Sequence, residues 1–164
     1  LMLIQLDAHA DLREEWLGST HSHACAMRRC LEVLPSKQIF QIGIRSGTRA
    51  EFKELQEEKR FIPHTKGQPA TFLEEALTPH LGKPIYCTVD LDWFDPSVMP
   101  GTGTPEPGGF LWEDFAAVID VLQKHQLIGA DIVELSPQLD PTGVSSILAA
   151  KVTRSLIMLL HESS

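Results

Sequence analysis

Leu1-Met2-Leu3-Ile4-Gln5-Leu6-Asp7-Ala8-His9-Ala10-Asp11 decides the reading of this chain, and Pro84-Ile85-Tyr86-Cys87-Thr88-Val89-Asp90-Leu91-Asp92 repeats its logic. In each, an apolar run rich in aliphatic residues leads directly into carboxylates. Such runs read as buried strands. Side chains at i, i+2 and i+4 of a strand share a face. If the extended backbone continues past the apolar run, Asp7, His9 and Asp11 point one way, and so do Asp90 and Asp92. Five metal-ligand side chains then hang from two strand ends. Charges gathered there are costly unless a cation meets them. Oxygen-rich donors with an imidazole suit Mn²⁺, with Zn²⁺ or Co²⁺ as alternatives. Four carboxylates exceed what a single Zn²⁺ takes, so a two-metal centre with shared carboxylates fits better.

Working outward, strand-like and helix-like stretches alternate. Ala24 to Leu34 has helical spacing and stops at Pro35; Gln38 to Ile44 reads as a strand. Thr48-Arg49-Ala50-Glu51 is a capping-box signature opening a helix to about Arg60, whose Lys53, Glu54, Glu57, Glu58 and Lys59 read as a solvated face. Phe61 to His64 reads as a short strand. Thr71-Phe72-Leu73-Glu74 is a second capping box, with Gly82 ending its helix. Trp112 to His125 and Ser145 to His161 are amphipathic helices flanking a strand from Ile128 to Leu135. Alternation of this kind predicts an α/β fold, a parallel sheet with helices on both faces. Sites in such sheets form at the carboxyl ends of strands, where the acidic motifs sit.

Several further residues offer chemistry. His21 and His23 lie in a loop, and Arg45 follows a strand, where pairing with a carboxylate near the metals is its expected role. Asp95-Pro96 fixes a turn rather than supplying a ligand. The stretch from Met99 to Gly109 lacks the Gly-Lys-Ser/Thr of a phosphate loop, and its prolines remove backbone donors. It reads as a rigid wall beside the site, with Thr102 and Thr104 offering hydroxyls.

The 164 residues are 43% hydrophobic with mixed charge, which describes one globular domain over 1–164. No apolar run approaches the ~20 residues of a membrane span, and the opening residues lack a signal-peptide pattern. Cys25, Cys30 and Cys87 are odd in number without zinc-type spacing, which suggests reduced thiols and a cytoplasmic location. A formal charge of −8 argues against nucleic acid and anionic membranes and suits a small cationic substrate.

These motifs, taken with Ser22-His23-Ala24, Gly43-Ile44-Arg45-Ser46, Asp90-Leu91-Asp92-Trp93-Phe94-Asp95-Pro96, Thr104-Pro105-Glu106-Pro107-Gly108-Gly109 and Glu134-Leu135-Ser136-Pro137, resemble the ureohydrolases, the family of arginase and agmatinase. They occur in the family's order along nearly the whole chain, and the Thr-Pro-Glu-Pro-Gly-Gly form looks more like agmatinases. The resemblance implies an arginase-like three-layer α/β/α fold, of which this chain looks like the C-terminal portion. The family's Gly-Gly-Asp-His motif, whose His is a further ligand, is not in this sequence. The resemblance implies two Mn²⁺ ions held by Asp7, His9, Asp11, Asp90 and Asp92. Asp7 and Asp90 would bridge them. His23 would relay a proton, and Glu134 would recognise a guanidinium group. The implied reaction releases urea, with agmatine giving putrescine, in a homo-oligomer (trimer or hexamer). Alternatives are a truncated, non-catalytic or partner-dependent homologue, or a related hydrolase acting on arginine, guanidino acids or formiminoglutamate.

Overall fold

The structure, a computed structural model, describes residues 1–62 and 68–162. Five parallel strands form one sheet: β1 (Met2–Leu6), β2 (Ile39–Ile42), β3 (Phe61–Ile62), β4 (Ile85–Asp90) and β5 (Leu127–Val133). Their spatial order is β3-β2-β1-β4-β5. β1 is central, with Leu6 opposite Ile42 on one side and Val89 on the other. All five of its residues are buried, as a strand covered on both faces requires. The last two residues of the expected strand at 61–64 lie outside the described residues.

Alternation divides the core into two layers. Met2, Ile4 and Leu6 of β1 join Ile85, Cys87 and Val89 of β4 beneath α3 (Pro69–Leu77), α4 (Trp112–Leu122) and α5 (Val144–Glu162). Leu3 and Ile39 face the other way, toward Met27 of α1 (Ala26–Leu31) and Leu55 of α2 (Arg49–Glu58). The result is the expected three-layer α/β/α arrangement. By length and composition alone α5 could cross a membrane, which the sequence reading did not anticipate. Its Ala149, Val152, Leu156 and Leu159 pack into the core.

Several boundaries differ from the sequence reading. The predicted helix from Ala24 begins as a 3₁₀ turn, His23–Cys25, and becomes α-helical only over Ala26–Leu31. The capping box at Thr48 forms as expected: Thr48 Oγ1 accepts from Glu51 N–H at 3.3 Å, and Glu51 Oε2 accepts from Thr48 N–H at 2.7 Å. The one at Thr71 does not, because Pro69 takes the first helical position and Gln68 the cap. α3 then ends at Leu77, and a 3₁₀ turn, Thr78–His80, separates it from Gly82. Glu54 is not part of a solvated face. It receives Arg28 at 2.6 and 3.3 Å and Arg60 at 2.8 Å.

The chain runs outward from β1 through β2 to β3, then returns to place β4 on the other side of β1. The direction of winding therefore reverses between β1 and β4, and a crevice opens at their carboxyl ends. β5 has no strand on its outer side among the described residues, and Ile128 and Val133 are half exposed there. On the same flank Asp131 accepts from Tyr86 Oη at 2.9 Å and Thr88 Oγ1 at 2.7 Å.

Candidate metal centre

Beyond the carboxyl ends of β1 and β4, His9, Asp11, Asp90 and Asp92 line one cavity of about 460 Å³, and Asp7 lies behind them. Asp7 is the first residue after β1. Its Oδ2 accepts from Gln5 Nε2 at 2.6 Å, and Gln41 Nε2 of β2 donates in turn to Gln5 Oε1 at 2.6 Å and to Ala10 O at 2.8 Å. Asp7 Oδ1 accepts from His9 N–H at 2.6 Å. From β4, Asp90 Oδ1 accepts from Asp92 N–H at 2.9 Å, the cap of the 3₁₀ turn Leu91–Trp93. Asp92 then reaches across to β1: its Oδ1 accepts from Ala8 N–H at 3.1 Å and its Oδ2 lies 2.8 Å from His9 Nδ1. Thr104 Oγ1 donates to the same Oδ2 at 3.3 Å.

One ligand atom from each of Asp7, His9 and Asp92 lies within 4.8 Å of the others. Asp11 and Asp90 line the same cavity, together with His23, Trp16 and Glu134. The expected continuous extension stops short of Asp11, whose φ of 54° places it in the left-handed region. His23 is exposed at the rim, at the start of its 3₁₀ turn. Glu134 follows β5 with a φ of 66°, and its Oε2 would stand 3.6 Å from a Cβ placed on Gly103. His21 is exposed and sits 3.0 Å from Thr20 Oγ1, outside the residues that line the cavity.

The electrostatics of this cluster are those of carboxylates gathered without enough positive charge. Burial, with Asp7 and Asp92 nearby, pushes Asp90 up to about 10. Burial and the neighbouring Asp7 push Asp11 up to about 8. Burial pushes Asp7 up to about 6, against the hydrogen bonds it receives from His9. His9 is pushed up to about 10 by its bonds with Asp7 and with Asp92, the nearer of the two at its Nδ1. Burial acts to raise Asp92 too, but its bond with His9 and the charge there hold it below the usual carboxylate range. The donor set is oxygen-rich, with one imidazole, and its raised carboxyls call for cations. It fits divalent ions of the Mn²⁺ class.

The surrounding loops explain two motifs. Arg45 does not pair with a carboxylate as expected. Its guanidinium donates to main-chain carbonyls, Asp92 O at 2.7 Å and Glu106 O at 2.8 and 3.2 Å among them. It thereby ties β2's end, β4's end and the Pro-rich wall together. Gly43 has a φ of 98°, and a Cβ there would come within 2.5 Å of the Trp93 ring. Only glycine lets this strand end pass beneath the indole, which stacks on Phe110 at 4.3 Å. Asp95 fixes its turn as expected, accepting from the N–H groups of Ser97, Gly108 and Gly109 at 3.0 Å each. Thr104 offers its hydroxyl to the site, while Thr102 is buried and turned away from any hydrogen-bond partner among the described residues.

The sequence reading missed Gln5 and Gln41, the supports of Asp7. The signal was a polar residue in each of two buried strands, Gln5 two positions before Asp7. It also missed Glu106, whose Oε1 is 3.7 Å from His9 Nε2.

An open parallel sheet with carboxylates at its switch point defines an α/β protein with a metal-type centre. Its sequence matches the arginase family model over residues 1–159, and the chain belongs to that family. It is 36% identical over 160 residues to an agmatinase of Halalkalibacterium halodurans, covering 96% of this chain and 55% of that protein. It is 34% identical over 170 residues to a guanidinobutyrase of Pseudomonas aeruginosa, covering 96% of this chain and 52% of the other. The crystal structure of agmatine ureohydrolase of Thermoplasma volcanium superposes with a TM-score of 0.84 at 35% identity, covering 99% of this chain and 55% of that one. The chain thus spans about half the length of these relatives.

Proposed function

We propose that these residues are the C-terminal portion of a dinuclear manganese hydrolase that cleaves a guanidino group and releases urea, with agmatine as substrate. The observation that carries the reading is the convergence of Asp7, His9 and Asp92 within 4.8 Å, beside a cavity that His9, Asp11, Asp90 and Asp92 line. Asp7, His9, Asp11, Asp90 and Asp92 would hold the ions. When bound, such ions lower the pKa of water so that hydroxide is available at neutral pH.

The chain's own residues do the rest. Glu134, which lines the same cavity as Asp90 and Asp92, accepts hydrogen bonds from the planar guanidinium and orients it for attack. A water oxygen adds to that carbon, the bond from carbon to the tail nitrogen breaks, and the products are urea and a primary amine. His23, exposed at the rim, delivers the proton that the departing amine needs and recovers it from solvent. The rigid wall from Met99 to Gly109, held by Arg45, closes one side of the cavity around Thr104. The three free cysteines and the −8 charge suit a cytoplasmic enzyme with a cationic substrate, and the family resemblance carries assembly into trimers or hexamers.

A second reading is favoured by the outer side of β5, which carries no strand among the described residues, and by the chain's coverage of its relatives: the site is completed by further polypeptide. One experiment addresses both. Manganese content and urea release from agmatine, 4-guanidinobutyrate and arginine are measured for this chain and for a version extended upstream. Two ions and turnover with agmatine in either form support the proposal. Turnover confined to the extended form supports completion by further polypeptide. Two bound ions in the extended form with no urea from any of the three refutes guanidino hydrolysis.

A further inference from the structure

Glu51 has a task beyond capping its helix. Its side chain is buried, and its two oxygens point to different places. Oε2 accepts from Thr48 N–H at 2.7 Å and closes the capping box. Oε1 accepts from Leu12 N–H at 3.0 Å, thirty-nine residues away in sequence. Leu12 N–H belongs to the peptide bond that follows Asp11.

That peptide is gripped from its other side as well. Asp11 O accepts from Met27 N–H at 3.0 Å and from Arg28 N–H at 3.1 Å, at the start of α1. Leu12 O accepts from Arg28 Nε at 3.0 Å, and Arg28 is itself held by Glu54. Glu51 and Glu54, neighbours on one face of α2 at i and i+3, therefore hold the Leu12 N–H directly and the Leu12 carbonyl through Arg28. The backbone they hold is in a less common conformation. Asp11 has a φ of 54°, in the left-handed region that non-glycine residues adopt uncommonly, although Asp tolerates it better than most.

We propose that Glu51 is a positioning residue for the metal centre: by fixing the Asp11–Leu12 peptide it holds Asp11 in the left-handed conformation that turns its carboxylate into the cavity. The inference rests on the metal-centre reading above and adds a residue to it. Without the Glu51 acceptor, Asp11 relaxes toward the extended region its sequence neighbours favour, and its carboxylate leaves the cluster. Arg28 with Glu54 is the second half of the same clamp. Outer supports of metal ligands commonly change affinity by roughly 10–100-fold when removed.

The test separates this role from helix capping. Glu51→Gln keeps the size of the side chain but cannot accept at both ends, while Thr48→Ala removes the cap hydroxyl and leaves Leu12 N–H bonded. Manganese affinity and the number of ions are measured by titration calorimetry on the parent and both variants, beside their metal-free melting temperatures. The expected result is a loss of 10-fold or more in affinity for one ion in Glu51→Gln only, with both variants melting lower than the parent. Equal affinity in parent and Glu51→Gln overturns the inference, as does an equal loss in both variants. If the parent chain binds no manganese, the metal reading for this chain fails. The positioning claim is then decided by the crystal structure of metal-free Glu51→Gln. Asp11 displaced from positive φ upholds it, and Asp11 unmoved overturns it.

Discussion

Replacing Gln41 with leucine tests whether Asp7 is held by the strand behind it. Gln41 is completely buried, and its amide nitrogen serves two acceptors, Gln5 Oε1 at 2.6 Å and Ala10 O at 2.8 Å. Leucine is close in volume, so little cavity or overpacking enters. The substitution strands two buried acceptors, each costing about 1–3 kcal/mol. It also removes a buried amide oxygen, Gln41 Oε1, that has no partner among the described residues, which offsets about 1–2 kcal/mol. Taken at the midpoints of these ranges, the net loss is about 2–3 kcal/mol, or roughly 5–10 °C in melting temperature for a domain of this size. Freed from Gln41, the Gln5 amide no longer has a fixed orientation from which to donate to Asp7 Oδ2, so manganese affinity falls as well. Urea unfolding followed by circular dichroism gives the first number and calorimetric titration the second. A leucine variant within about 0.5 kcal/mol of the parent, with unchanged affinity, would refute the relay from Gln41 through Gln5 to Asp7.

Three further outcomes follow from the same geometry. Gly43→Ala meets both a positive φ and the Trp93 ring at 2.5 Å, so thermal unfolding should show a loss of about 2–4 kcal/mol, and a change below about 1 would contradict the close packing. Asp95 has its pKa lowered to about 2 by the Ser97 side chain, then by the N–H groups of Ser97, Gly109 and Gly108, so its contribution is present above the ordinary value of 3.8 and is lost as pH falls toward 2. The stability difference between parent and Asp95→Asn should therefore be constant near neutrality and shrink through that window; a difference that grows on acidification counts against it. In the metal-free protein Asp11 and Asp90 have folded pKa values raised to about 8 and about 10, so the native state binds more protons than the unfolded chain and stability falls as pH rises from 5 to 9. Saturating manganese should flatten that fall and expel protons on binding, read as a buffer-dependent calorimetric enthalpy; a metal-free melting temperature that climbs over the same range would sink the account.

β1 and β4 were legible because each is an apolar run ending in a carboxylate, and the alternation with helices then left one fold class. Asp7 and His9 were legible because the chain stays near the strand period past β1, whereas Asp92 reaches the same place not by continued extension but through the 3₁₀ turn Leu91–Trp93 that Asp90 caps. Asp11 was placed in the site for the wrong reason. Its position depends on a left-handed backbone imposed by α1 and α2, which no period-2 pattern encodes. Arg45 was misassigned because a cation near acids suggests an ion pair, whereas the fold presents it with converging carbonyls from three loops. The Thr71 box failed because a proline two residues earlier pre-set the helix start. Gln5 and Gln41 escaped notice because a support for a ligand is defined by a neighbour in space, and β2 lies beside β1 only after folding.

The central place of β1 also sets a timetable for biosynthesis. Its pairing with β4 joins positions about 80 residues apart, Leu6 with Val89. Translation adds roughly 5–20 residues each second, so after β2 becomes available the nascent chain still carries β1 with its other side unpaired, about 4–16 seconds passing between synthesis of β1 and of β4. During that interval Met2–Leu6 is a segment for ribosome-associated chaperones to shield. The acidic residues beyond it can gather only after this long-range closure, which makes metal capture one of the last events in the chain's folding rather than a nucleus for it.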